Sequence, residues 1–93
     1  MIKKTWAIGE ACKGGVISVE INRDSSVNII NRSWDYNKGS LKTSDQSEAP
    51  EISRRVYYPS KSRGWRFDAE EYLNNLTTYY FSDQIIIWIL RNV

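Results

Sequence analysis

One stretch of the chain combines basic and aromatic side chains in a pattern that suits binding. Residues 54–66 carry five positive charges, three aromatic rings and no acidic residue. Guanidinium groups bind phosphates and aromatic faces accept unstacked bases, so this segment is a candidate nucleic-acid site. The same residue types are enriched at protein-interface hot spots. The candidate binding residues are Arg54, Arg55, Tyr57, Tyr58, Lys61, Arg63, Trp65 and Arg66.

A plainer interpretation of the same segment is structural. Tyr57 and Trp65 would complete the hydrophobic core, and the basic groups around them would stay in solvent.

Residue types that perform catalysis are scarce. The chain has no histidine, which excludes histidine-dependent triads and histidine metal sites. Its one cysteine, Cys12, excludes an internal disulfide framework and a cysteine-rich zinc site, and it lacks the usual histidine base. The acidic residues do not recur at the spacing of a calcium loop or an acid–base dyad. We therefore expect no enzyme, no metal and no cofactor.

Length and composition set the class of protein. The chain has 93 residues, enough for one domain over 1–93, and 41% of them are hydrophobic. The net charge of +2 is too small to identify a polyanionic partner, and outside 54–66 eight basic residues face eleven acidic ones. No apolar run approaches the ~20 residues that span a bilayer, and a signal-peptide core is missing. We expect a cytoplasmic protein that does not contact membranes.

The first half of the chain predicts an antiparallel β-meander over 5–44. Strands are predicted at 5–10, 16–22 and 27–34, with a weak fourth strand at 40–44. Residues 16–22 alternate between apolar and polar positions, as a half-buried strand does. Apolar residues occupy both faces of 27–34, which indicates a central strand covered on both sides.

Residues 45–67 predict a long polar and basic loop. The segment begins with an acidic, polar stretch, and only 54–58 has the composition of a short edge strand, which Pro59 ends. Loops of this length are usually functional or disordered, so we expect the working surface here.

Residues 68–91 predict C-terminal helical structure. Asp68 can cap the first turn, and Glu71 can reach back to it as in a capping box. One broad helical face carries Ala69, Tyr72, Leu73, Leu76, Tyr79 and Tyr80.

A single continuous helix is not the favoured arrangement. It would place Asp83 in the middle of the apolar face, and a lone buried carboxylate costs several kcal/mol. We therefore expect a break near Phe81, with Ser82 capping a second helix. The alternative makes 85–90 a strand, because β-branched residues prefer strands.

Together these elements predict an α+β fold in which three or four antiparallel strands pack against helical structure as a two-layer sandwich. If the helical layer cannot bury all its large apolar residues, the surplus would form a dimer interface. The candidate interface residues are Ile85, Ile86, Trp88 and Ile89.

The composition favours a small, non-enzymatic protein-interaction module, possibly one that forms a homo-oligomer. A nucleic-acid-binding module that uses 54–66 is the alternative.

Overall fold

The computed structural model describes residues 1–8, 15–33 and 49–93. Within them, a four-stranded antiparallel sheet is followed by two helices, which confirms the predicted α+β class. In chain order the elements are β1 (Ile2–Ala7), β2 (Gly15–Ile21), β3 (Val27–Ser33), β4 (Glu51–Tyr57), α1 (Trp65–Leu76) and α2 (Tyr79–Asn92). The weak strand predicted at 40–44 and Cys12 lie outside the described residues.

The sheet is a meander in which each strand pairs with the next, in the order β1-β2-β3-β4. The side chains of Ile17, Val19 and Ile29 belong to the core beneath the helices, and each is 0% exposed. Val16 and Ile30 alternate with them, so they point to the opposite face, and they are also 0% exposed. This confirms that β3 is a central strand with both faces covered.

The turn between β2 and β3 is fixed by its own polar side chains. The Asp24 carboxylate accepts hydrogen bonds from the backbone N–H of Ser26 at 3.0 Å and from the Ser26 hydroxyl at 2.6 Å. These bonds hold the pKa of Asp24 below its usual value because they favour the ionised form. Ser25 adopts a left-handed backbone with φ of 67°, which closes the turn.

The two helices are separated at Thr77 and Thr78. α1 begins at Trp65 rather than at the predicted Asp68, and its N-cap, Gly64, makes no side-chain capping bond. The capping box proposed for Asp68 was therefore wrong. Asp68 lies in the first turn of α1, where a negative charge suits the helix dipole equally well.

The predicted break between the helices exists, but its position near Phe81 was wrong. Thr78 is the N-cap of α2, and its hydroxyl accepts from the backbone N–H of Phe81 at 3.5 Å. Ser82 is buried instead of capping. Because the break precedes Tyr79, Asp83 lies on the exposed side of α2. No carboxylate has to be buried there, and the cost of burying one does not arise. Residues 85–90 are helical, as favoured.

α2 packs against the sheet through Ile85, Ile86 and Ile89, which are 0%, 1% and 0% exposed. These three candidate interface residues thus lie in the chain's own core. The exposed large apolar residues of the same stretch are Ile87 and Leu90. Across the described parts of the chain, neither helix is long and apolar enough to cross a membrane.

Adjacent isoleucines of α2 test this packing directly. Ile86→Ala should lower the free energy of unfolding by about 2–5 kcal/mol, because it opens a cavity in the core. Ile87→Ala removes the same atoms from a half-exposed position and should cost less than about 1 kcal/mol. Urea unfolding followed by circular dichroism measures both. Equal losses would contradict this orientation of α2.

Candidate protein-interaction surface

β4 is an outer strand of the described sheet, and it is unusually open. It pairs with β3, and six of its seven side chains are exposed or only half-buried, Tyr57 being the exception. A short edge strand was predicted at 54–58 inside a loop. The strand begins earlier, at Glu51, because an outer strand that buries one side chain shows no hydrophobic alternation in its sequence.

The beginning of β4 is anchored to the centre of the sheet by Arg32. Its guanidinium donates to the Ser18 hydroxyl at 3.0 Å and to the Ala49 carbonyl at 2.8 Å. The register between β3 and β4 shifts at this point, between Asn31 and Arg32. Such an irregularity bends an edge strand and re-aims its side chains.

A groove with a volume of about 380 Å³ runs between β4 and α1. It forms because α1 holds its small and apolar face, Ala69 and Leu73, against the sheet, while its neighbouring polar face overhangs β4. We call it the β4–α1 groove. Its lining residues are Arg55, Tyr57, Asp68, Glu71, Tyr72 and Asn75.

The aromatic side chains of the β4–α1 groove are held in place by neighbouring groups. The hydroxyls of Tyr72 and Ser53 share a hydrogen bond at 2.6 Å. The Arg55 guanidinium lies 5.1 Å from the centre of the Tyr72 ring, a cation–π distance. The Tyr57 hydroxyl donates to the backbone carbonyl of Asp68 at 3.4 Å. The groove therefore presents a preorganised arginine and two tyrosines.

The remaining basic residues of 54–66 are divided among different contacts. Arg54 forms a two-pronged ion pair with Glu51, with one arm at 2.9 Å, and this pairing lowers the pKa of Glu51. Arg66 pairs with Glu70 at 3.0 Å. The Lys61 ammonium lies 5.9 Å from the ring centre of Tyr58.

The structure does not bring the eight predicted residues together as one patch. Only Arg55 and Tyr57 of the eight line the β4–α1 groove. Two of the three rings, Tyr57 and Trp65, are only 8% and 9% exposed. Both rings belong to the hydrophobic core, as the structural interpretation of 54–66 expects. Of the three aromatic rings of 54–66, only that of Tyr58 is exposed, and Arg63 is exposed outside the groove.

The helical half of the groove was missed from the sequence. Asp68 and Glu71 were explained as helix-capping groups, and Tyr72 as part of an apolar face. Asn75 carried no signal at all. Their spacing of three to four residues does place them on one side of a helix, but only the packing of α1 shows that this side faces β4.

In the described ranges, no three acidic or cysteine side chains are grouped as metal ligands would be. Two carboxylates, those of Asp68 and Glu71, line the β4–α1 groove together with Arg55 and Tyr72. The arrangement can supply hydrogen bonds, charges of both signs and aromatic contact area.

The buried phenol of Tyr57 gives a test of this geometry. Burial raises its pKa to about 12 from the usual 10.0. Its contribution to stability is therefore complete below pH 10 and is lost as the pH rises from about 10 to 12, because the unfolded chain releases this proton first. Tyr57→Phe should remove a tyrosine transition near pH 12 from an alkaline absorbance titration and flatten the loss of stability in this range. If the transition lost in the variant were centred near pH 10 instead, Tyr57 would not be buried.

Comparisons with known proteins give no further guide to this surface. No protein-family model, no curated protein and no solved structure matches the chain.

Proposed function

We propose that this chain is a small, non-enzymatic protein-interaction module that binds an extended segment of a partner protein at the edge of β4 and in the β4–α1 groove. The observation that carries the proposal is an outer strand with a groove running beside it. The outward backbone groups of such a strand can pair with an added strand. Every second side chain of that added strand would then enter the groove.

The residues at this surface are of the types that dominate protein interfaces. Arg55, Tyr57 and Tyr72 line the groove, and arginine and tyrosine are enriched among hot-spot residues. Ile52 and Val56 of the same strand are 64% and 44% exposed. A bound segment that covers them would remove apolar surface from water, which favours association.

The charges around the groove favour a protein over a nucleic acid. Asp68 and Glu71 line the groove together with Arg55, so a phosphate backbone laid there would meet two carboxylates. Arg54 and Arg66 already have carboxylate partners. Since two of the three candidate rings are buried, stacking on bases would depend on Tyr58.

Two arginine substitutions distinguish the partner classes. The partner protein is first recovered with the wild-type chain from an extract of the encoding organism, identified by mass spectrometry, purified and titrated by calorimetry. Arg55→Ala should weaken its binding at least about tenfold, as expected of a hot spot. Arg63→Ala removes the same charge from outside the groove and should change the affinity less than about twofold.

The nucleic-acid alternative predicts a different pattern in the same variants. Single- and double-stranded DNA and RNA are titrated by fluorescence anisotropy at two salt concentrations. Affinity that falls steeply with salt, and that declines equally with Arg55→Ala and Arg63→Ala, would overturn the proposal. Unchanged circular dichroism spectra and unfolding midpoints would show that both variants fold.

A further inference from the structure

A second groove lies at the opposite edge of the sheet, between β1 and α2. Its volume is about 350 Å³, and we call it the β1–α2 groove. It shares no residue with the β4–α1 groove, so it raises a question that the proposed function does not answer. Its lining residues are Lys4, Trp6, Gln84, Ile87, Trp88 and Arg91.

The floor of the β1–α2 groove is aromatic and rigid. The rings of Trp6 and Trp88 meet edge to face, with their centres 5.5 Å apart and their planes at 84°. Trp6 is 8% exposed and belongs to the core, so this floor is fixed by the same packing that holds α2 on the sheet. The ammonium of Lys4 lies 5.3 Å from the Trp6 ring centre.

The rim of the β1–α2 groove is apolar and positively charged. Ile87 is 46% exposed. Both charged lining residues, Lys4 and Arg91, are cations, and neither forms an ion pair with a described residue. The β4–α1 groove differs, because two carboxylates line it.

The charge of this rim decides between two possible occupants. A second copy placed symmetrically on the groove would bring its own Lys4 and Arg91 to the same contact, because a two-fold interface joins one patch to itself. Four positive charges would then meet with no carboxylate among the lining residues, and such juxtapositions oppose association. A partner that carries negative charge would instead be attracted to Lys4 and Arg91.

We propose that the β1–α2 groove binds an acidic, extended segment of a partner protein. β1 is the other outer strand of the described sheet, so its outward backbone groups can pair with an added strand. Carboxylates of the segment pair with Lys4 and Arg91. An apolar side chain of the segment packs on the tryptophan floor beside Ile87.

The register of β1 defines the pattern that this segment needs. Lys4 and Trp6 are two residues apart and both face α2, whereas Lys3 faces the other side of the sheet opposite Glu20. Side chains directly opposite each other on paired strands are in contact. A segment with an acidic residue and an apolar residue separated by one position would therefore place the acid at Lys4 and the apolar group at Trp6.

The probe is a set of synthetic peptides in which threonine alternates with glutamate, aspartate, leucine or phenylalanine. Binding to the full chain is measured by fluorescence anisotropy, and the tightest peptide is carried forward. A glutamine or asparagine version of it should bind at least about tenfold more weakly, since it lacks the charges. An isomer of equal composition with its acidic and apolar residues on opposite faces should also bind more weakly.

The protein variants have a matched control that removes the same number of charges. Lys4→Gln combined with Arg91→Gln should reduce affinity for the chosen peptide about tenfold. The control, Lys3→Gln combined with Arg63→Gln, removes two charges from outside the groove and should leave affinity within about twofold. Arg55→Ala should bind the peptide normally, which separates this site from the β4–α1 groove.

Three results of the binding measurements would overturn the proposal. They are the absence of binding by every acidic peptide, equal binding of the charged and neutral versions, and equal losses in the two double variants. The oligomeric state is measured by light scattering. An oligomer of the wild-type chain that dissociates in the Lys4→Gln, Arg91→Gln variant would also overturn the proposal, because it would assign the groove to a second copy. Each substituted side chain is exposed, so unfolding midpoints close to wild type are expected and are required of each variant.

Discussion

Two helices can cover one face of this sheet only because the chain breaks between them at Thr77 and Thr78. A continuous helix would keep its apolar stripe in phase and would bring Asp83 into the core. The break lets α2 rotate, so that Ile85, Ile86 and Ile89 face the sheet and Asp83 faces solvent. The burial of these isoleucines against the sheet, in one core with Ala69 and Leu73 of α1, is the interaction that fixes the position of both helices.

The same arrangement produces a groove at each edge of the sheet. α1 lies beside β4, where Tyr72 meets Ser53, and α2 lies beside β1, where Trp88 meets Trp6. Each outer strand thus has a helix as its neighbour, and no strand of the described residues pairs with its outer side. The two grooves differ in chemistry, because one mixes charges of both signs and the other has cations over tryptophan.

The sequence was most informative where side chains are buried regularly. β2 and β3 were predicted within one or two residues, because their apolar positions alternate along strands that lie in the middle of the sheet. The predicted β1, at 5–10, lies too late in the chain, and the predicted edge strand at 54–58 is too short for β4. Both errors have one cause, because an outer strand buries few side chains and leaves little pattern to detect. The break between the helices was misplaced because Thr78 and Ser82 are both suitable caps.

The candidate site was predictable only in part, for a related reason. Arg55 and Tyr57 are prominent in the sequence, but the groove also needs residues of α1 that follow them by more than ten positions. Which face of α1 meets β4 depends on packing of the whole helical layer. Local composition likewise could not separate Ile86, which is in the core, from Ile87, which is half-exposed.

Both outer strands contain a pair of consecutive basic residues, Lys3 and Lys4 in β1 and Arg54 and Arg55 in β4. Because neighbours on a strand point in opposite directions, each edge carries a cation above and below the plane of the sheet. When the β1 edges of two molecules approach, these charges repel on both sides of the sheet. At β4 the repulsion comes from Arg55, because Glu51 offsets Arg54. Charged side chains on outer strands are one of the means by which proteins oppose edge-to-edge pairing of their sheets, and here they stand on both outer strands of the described sheet.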